Sequence, residues 1–394
     1  MLGALFASRA ARVTLVMSCL FSATGVILVF LPRWLEVERG LSGRQIGAVI
    51  ALAQLARIAT GPMVALWADS APDRRMPLRV LSACALAAYA VFFLVPHQFW
   101  ALLAIGFVAL SLTASATPFV EGATLRATAT GPMPYGIARG IGSVAFILAN
   151  IGGGVFISQF GPVAVVWWVL TALTCFTAAC WLGLKPDPAP PEAHIVRGAA
   201  RFDAVKALLR NRRFLILIVA CGFIQSAHAF YYSFSTLTWR AQGISADAVG
   251  FLWAIGVSVE VAFLWTLPFF ERRIRPELLI LIGASGAVVR WTLLGFAPAG
   301  VLLWPLQMLH ALSFAAAHVG AMRLISREAP EASAGMAQTL YAALSGGILM
   351  GASTLASGIL YDAVGARGYW AMAGEALAGG LLALLLWRAP RPAQ

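Results

Sequence analysis

Arg57, Arg139, Glu260, Arg290 and Glu375 each interrupt a run of apolar residues, and Glu121 stands near the end of another. A charge at the centre of a membrane helix costs about 2.5–3.5 kcal/mol on insertion scales, so charges kept there face a cavity or a partner. Arg57 and Glu260 offer the most chemistry. An arginine in such a site binds a substrate anion. A glutamate carries a proton, because a dry surrounding raises a carboxyl pKa and a nearby guanidinium lowers it again. The competing reading is a static salt bridge between the two, since a paired charge is the cheapest charge to bury.

Two polar stripes accompany these charges. Gln225, His228 and Tyr232 fall at i, i+3 and i+7, on one helix face. Such a stripe reads as a cavity wall or as interhelical hydrogen bonding without transport chemistry. Phe230 and Tyr231 beside it either stack on a planar ligand or pack. Gln307, His310, Phe314 and His318 follow i, i+3, i+7, i+11, with His310 a proton or substrate contact, or a structural group, and His318 structural. Two histidines eight residues apart, with no acid beside them, do not have metal-site spacing, so neither metal nor cofactor is expected. Glu121 and Arg139 sit at one level, as a structural pair or an inner gate. Arg290 and Glu375 share another level and could meet. No Ser-x-x-Lys at depth, His-Glu-x-x-His or pair of aspartates supports an intramembrane enzyme.

The elements that position these residues are membrane helices. Hydrophobic residues make up 60% of the 394 and charged residues only 11%, whereas soluble domains carry about 25% charged residues. The net charge of +12 sits in the joins between apolar runs, where orientation signals belong, and does not indicate nucleic acid. The five cysteines lie inside apolar runs as small packing residues. Cutting at charge, Pro and Gly clusters predicts an all-α membrane protein of twelve transmembrane spans: 13–32, 45–67, 78–95, 99–121, 137–159 and 163–183, then 213–236, 248–270, 278–296, 301–324, 334–359 and 369–387. These define an N-terminal six-helix bundle over 1–184, a linker over 185–212 and a C-terminal bundle over 213–394. The linker opens on the proline-rich Pro186–Pro191, and Arg201 to Arg210 follows as an amphipathic segment along the membrane surface.

The halves repeat. Gly40-Leu-Ser-Gly-Arg-Gln-Ile-Gly47 and Gly243-Ile-Ser-Ala-Asp-Ala-Val-Gly250 each open a span, and Arg57 and Glu260 each fall ten residues after the second glycine. Both then lie about 16 Å from the outer face at 1.5 Å per residue. About 20 of the 28 Lys and Arg residues fall on the side of the termini and about 5 opposite, which predicts cytoplasmic termini. Parallel six-helix repeats place a substrate site between them at mid-depth.

The twelve-span plan resembles the major facilitator superfamily. Ala65-Leu-Trp-Ala-Asp69, followed by Asp73-Arg74-Arg75, is similar to that superfamily's signature after the second span, with alanine for its first glycine and a longer spacing before the arginines. The resemblance implies a gating role for Asp69, Arg74 and Arg75. Gln225–Ser235, Ala248–Glu260, Gly286–Trp291, Gln307–His310, His318–Arg323, Tyr135–Arg139, Gly142–Phe146 and Gln45–Arg57 resemble the phenylpropionate permease branch, near the oligosaccharide and nucleoside proton symporters. In that branch Arg57, Arg139, His228, Glu260, Arg290 and His310 occupy polar positions, and Glu121 replaces an aspartate. The implied activity is proton-coupled import of a small organic substrate, an aromatic carboxylate favoured, by a monomer in a bacterial inner membrane. A proton-driven exporter and a nucleoside or sugar symporter are the alternatives on the same fold.

Overall fold

The computed structural model describes residues 8–129, 133–187, 205–270, 273–329 and 334–388, without the side chains of Ala65, Asp69, Ala334 and Arg388. Twelve long helices run through them. They are α1 Arg9–Arg39, α2 Gly43–Asp69, α3 Arg75–Leu94, α4 Phe99–Ala129, α5 Tyr135–Phe160 and α6 Ala164–Gly183, then α7 Arg212–Ala241, α8 Ala246–Phe269, α9 Pro276–Gly295, α10 Gly300–Glu328, α11 from Ala334 to Val364 and α12 Tyr369–Arg388. Each predicted span has its helix, and no strand occurs among the described residues. Several helices outrun the apolar windows; α4 continues to Ala129, eight residues past the predicted end at Glu121. Of the expected linker, 188–204 lies outside the described residues, and 205–210 are helical.

The repeated segment folds into the same device twice. Gly40 (φ 63°) and Gly243 (φ 81°) take the left-handed conformation that ends a helix and that side chains with a Cβ resist. The serine two residues on opens the next helix. Ser42 forms a capping box with Gln45: its hydroxyl accepts from the Gln45 amide (3.3 Å), and its own amide donates to Gln45 Oε1 (3.0 Å). In the second copy Val249 N donates to Ser245 O at 3.1 Å.

The chain divides into two compact units, Met1–Ala193 with Trp239–Ala254, and His194–Thr238 with Ile255–Gln394. In the first, α1 packs against α4, α5 and α6. Trp34 lies edge-on to Phe93 at 4.9 Å in an aromatic cluster with Tyr89 and Phe92. In the second, α9 packs against α10 and α12, and α12 against α7, around Phe214, Leu217, Ile224, Ile280, Ala317 and Ile325.

Besides a π segment at Ala343–Leu349 in α11, two departures from regular helix adjoin the histidines of the second unit. The α7 ladder breaks at Ala227–His228, where His228 N donates to Gln225 O at 3.1 Å, a three-residue step. In α10, Ala311–Ala316 is a π segment immediately after His310. A tightened or widened turn of this kind inside a helix gathers at functional sites.

Candidate functional site

Seven of the eight predicted binding or proton-pathway residues gather in the second unit, around one buried arginine. Arg290, from α9, is 0% exposed, as are His228, Gln307 and Ser313. Its guanidinium donates through Nη1 to His310 Nδ1 (3.0 Å) and to Ser313 Oγ (3.4 Å), and through Nη2 to Gln307 Oε1 (2.8 Å). The aromatic faces of Tyr231 (4.3 Å) and Trp291 (4.6 Å) flank it, each contact contributing roughly 0.5–2 kcal/mol.

These partners fix the imidazole tautomers. A guanidinium only donates, so His310 Nδ1 accepts and its hydrogen sits on Nε2. Nε2 lies 3.4 Å from Glu260 Oε2, on α8. Glu260, His310 and Arg290 therefore form a chain in which a neutral imidazole separates carboxylate from guanidinium. A second proton on His310 would set donor against donor at Nδ1. His228 takes the opposite tautomer. Its Nδ1 donates to the Gln225 carbonyl (3.1 Å), leaving Nε2 to accept from Ser313 Oγ (3.2 Å). Ser313 thus joins the two histidine branches through Arg290.

Both predicted stripes exist as faces. The His228 and Tyr232 rings stack at 5.6 Å, and Phe314 stacks between His310 (5.3 Å) and His318 (6.0 Å). Gln225 Nε2 donates to Phe314 O at 3.3 Å. Gln225 Oε1 and Gln307 Nε2 are buried with no partner among the described residues. The eighth residue, Arg57, belongs to the first unit, where its side chain is exposed on α2.

The possible Arg290–Glu375 contact is not made. Glu375 instead accepts hydrogen bonds from Ser226 and, at 2.7 Å, from Ser353, because α12 turns its carboxyl toward the serines of α7 and α11. Equal depth fixes the level of two side chains and leaves their rotation about each helix open. Ser313 was not among the predicted residues. Its i, i+3 spacing from His310 was the available signal, but a lone serine in a membrane helix is ordinary.

The gating candidates lie in the first unit. Glu121 Oε1 is 3.3 Å from Arg139 Nε, and Arg139 also donates to Ser143 Oγ (2.9 Å) and covers the Phe21 ring at 4.8 Å. Arg75 pairs with Asp73 at 2.7 Å, and the Arg74 amide donates to Asp187 O at 2.9 Å. The Arg75 guanidinium bonded to Asp73, aided by the Arg75 and Asp187 amides, holds the Asp73 carboxyl down at about 2. Asp69 ends α2, and its side chain lies outside the described residues.

A model described as the MFS_1 like family matches residues 12–372. The probable 3-phenylpropionic acid transporter of Escherichia coli is 32% identical over 91% of this chain and 92% of its own. The maltose permease of Geobacillus stearothermophilus is 25% identical over 87% of this chain and 85% of its own. Among solved structures, a single-residue variant of the nucleoside transporter NupG superposes with a TM-score of 0.86 at 15% identity, over 97% of this chain and 100% of that one.

Proposed function

Because the chain belongs to the MFS_1 like family, and is thus a multi-pass membrane transporter, we propose that it is a proton symporter importing an aromatic carboxylate. The observation that carries this reading is the chain Glu260–His310–Arg290. With Glu260 ionised, its charge offsets that of Arg290. A proton on Glu260 leaves the cluster with one uncompensated positive charge, which attracts a substrate carboxylate. By linkage the substrate anion raises the proton affinity of Glu260 by the same factor. Proton and anion then enter together.

Within this reading Glu260 is the proton carrier, and Arg290, through His310, senses its charge. The stacked faces of His228, Tyr232 and Phe314 receive the aromatic ring. The unpartnered amide atoms of Gln225 and Gln307 meet polar groups, and Arg57 supplies a second cation for the carboxylate. Alternating access moves the 1–184 bundle against the 213–394 bundle about the 185–212 linker, with Asp69, Arg74, Arg75, Glu121 and Arg139 as inner-gate residues. The relative at 32% identity, whose name states a phenylpropionic acid substrate, supports the substrate class.

The experiment is uptake of 3-phenylpropionate into proteoliposomes across an imposed pH gradient. One proton per substrate supports about a tenfold accumulation per pH unit. Glu260→Gln is expected to abolish that accumulation while counterflow exchange persists, and Arg57→Ala to raise the substrate KM. Accumulation by Glu260→Gln equal to the native protein overturns the proton role, and substrate driven outward by inward proton flow favours the exporter. A neutral sugar or nucleoside is the second reading, favoured by the buried amides of Gln225 and Gln307 and by the maltose permease relative. Competition by maltose or nucleosides, without competition by aromatic acids, would select it.

A further inference from the structure

The first unit carries a second charged site, which includes Arg74 and Arg75 of the proposed inner gate. The start of α1, the α2–α3 join, the end of α4 and the end of α6 enclose a small pocket lined by Arg9, Arg12, Arg74, Arg75, Arg126 and Lys185. Among the described side chains, two carboxylates stand against these six cations, Asp73 and Asp187. Asp187 is shared by Arg9 (2.8 Å) and Arg126 (3.3 Å), and Asp73 is taken by Arg75. Among the described residues no carboxylate pairs with Arg12, Arg74 or Lys185, and Arg12 Nε is buried without a hydrogen-bond partner.

Part of this charge has a structural use. Arg12 donates to Gly183 O at 3.0 Å, and Arg75 to Leu184 O at 3.3 Å, where α6 leaves its last carbonyls open. Arg9 likewise donates to Pro186 O at 2.7 Å, and three such bonds do not call for six cations. The first unit is left with an excess that self-repulsion opposes unless an outside anion joins it.

The neighbours indicate the anion. Trp181 and Leu182, at the end of α6, are 46% and 84% exposed, and Arg79 lies over the Trp181 ring at 5.4 Å. An exposed indole and leucine beside helix-end arginines mark the level where acyl chains give way to headgroups. Basic pockets between helix ends at this level suit phosphodiester oxygens.

We propose that this pocket binds the phosphate of an anionic phospholipid headgroup. Binding there ties the start of α1 and the end of α6 to the α2–α3 join, whatever the transported substrate. The test is thermal unfolding of the purified full chain in detergent with phosphatidylglycerol, cardiolipin, phosphatidylcholine or inorganic phosphate added. Phosphatidylglycerol and cardiolipin are expected to raise Tm by several degrees and phosphatidylcholine to leave it unchanged. The combined Arg74→Gln and Lys185→Gln variant is expected to lose at least half of that rise, and combined Lys206→Gln and Arg327→Gln, a matched charge loss in the second unit, to keep it. A rise with inorganic phosphate that the same double variant removes keeps the phosphate site and assigns its ligand to solution. Equal shifts from phosphatidylcholine, or a full shift in the double variant, overturn the proposal. Should the double variant fail to fold, Arg74→Lys alone, which keeps the charge and loses the fork, is read for retained lipid by native mass spectrometry. Unchanged retention of bound phosphatidylcholine and phosphatidylglycerol alike counts against the site.

Discussion

Among the described residues Arg290 has no carboxylate in direct contact, and its burial rests on several neutral acceptors used together. Its fork serves His310, Ser313 and Gln307 at once, which the point charge of a lysine cannot do. Arg290→Lys is therefore expected to lower uptake at least tenfold while the protein remains folded, as judged by its size-exclusion profile. Ser313→Ala removes the donor to His228 Nε2 and an acceptor of Arg290, leaving buried polar atoms unsatisfied at about 1–3 kcal/mol. A lower midpoint of thermal unfolding checks it. The charges and histidines were legible because membrane helices rarely keep them, and both stripes were legible from spacing along one helix. Which residue Glu260 faces within its unit was not legible. His310 lies fifty positions on, and its Nε2 is aimed by Arg290 holding the other ring nitrogen, a tertiary fact without a sequence periodicity.

At the scale of elements, the repeated glycine–serine segment carries positional information that its composition alone does not. The second glycine of the second copy, Gly250, lies against the backbone of α5 inside the first unit. A Cβ there would fall 2.2 Å from Asn150 O and 3.4 Å from Gly154 Cα. Backbone cannot yield as a flexible side chain can, so Gly250→Ala is expected to lower expression and thermal stability more than Gly335→Ala, where open space surrounds the site. The join after α2 makes a pH prediction. Asp73 is held at about 2 by the Arg75 guanidinium, below its ordinary 3.8. A depressed folded-state pKa contributes stability that is complete above the ordinary value and is lost as pH falls through the folded one. Native protein should thus lose stability between about pH 4 and pH 2 more steeply than Asp73→Asn in thermal unfolding series. The twelve helices were legible from apolar length, whereas the break at Ala227–His228 and the π segment after His310 were not. Both depend on side chains that compete with the backbone ladder once neighbouring helices are in place.

Across the whole molecule, the proposed transport chemistry falls to an arginine, a histidine and a glutamate in one unit, and the rest serves as scaffold, gate and membrane contact. The excess of Lys and Arg in alternate joins supports cytoplasmic termini, and a reporter fused after Arg388 should be active only if it folds in the cytoplasm. The central claim concerns the proton. In proteoliposomes loaded with a pH-sensitive dye and without an imposed gradient, adding 3-phenylpropionate outside should acidify the lumen for the native protein, and should leave it unchanged for Glu260→Gln while substrate exchange continues. Lumenal acidification of the same size through Glu260→Gln would contradict the account.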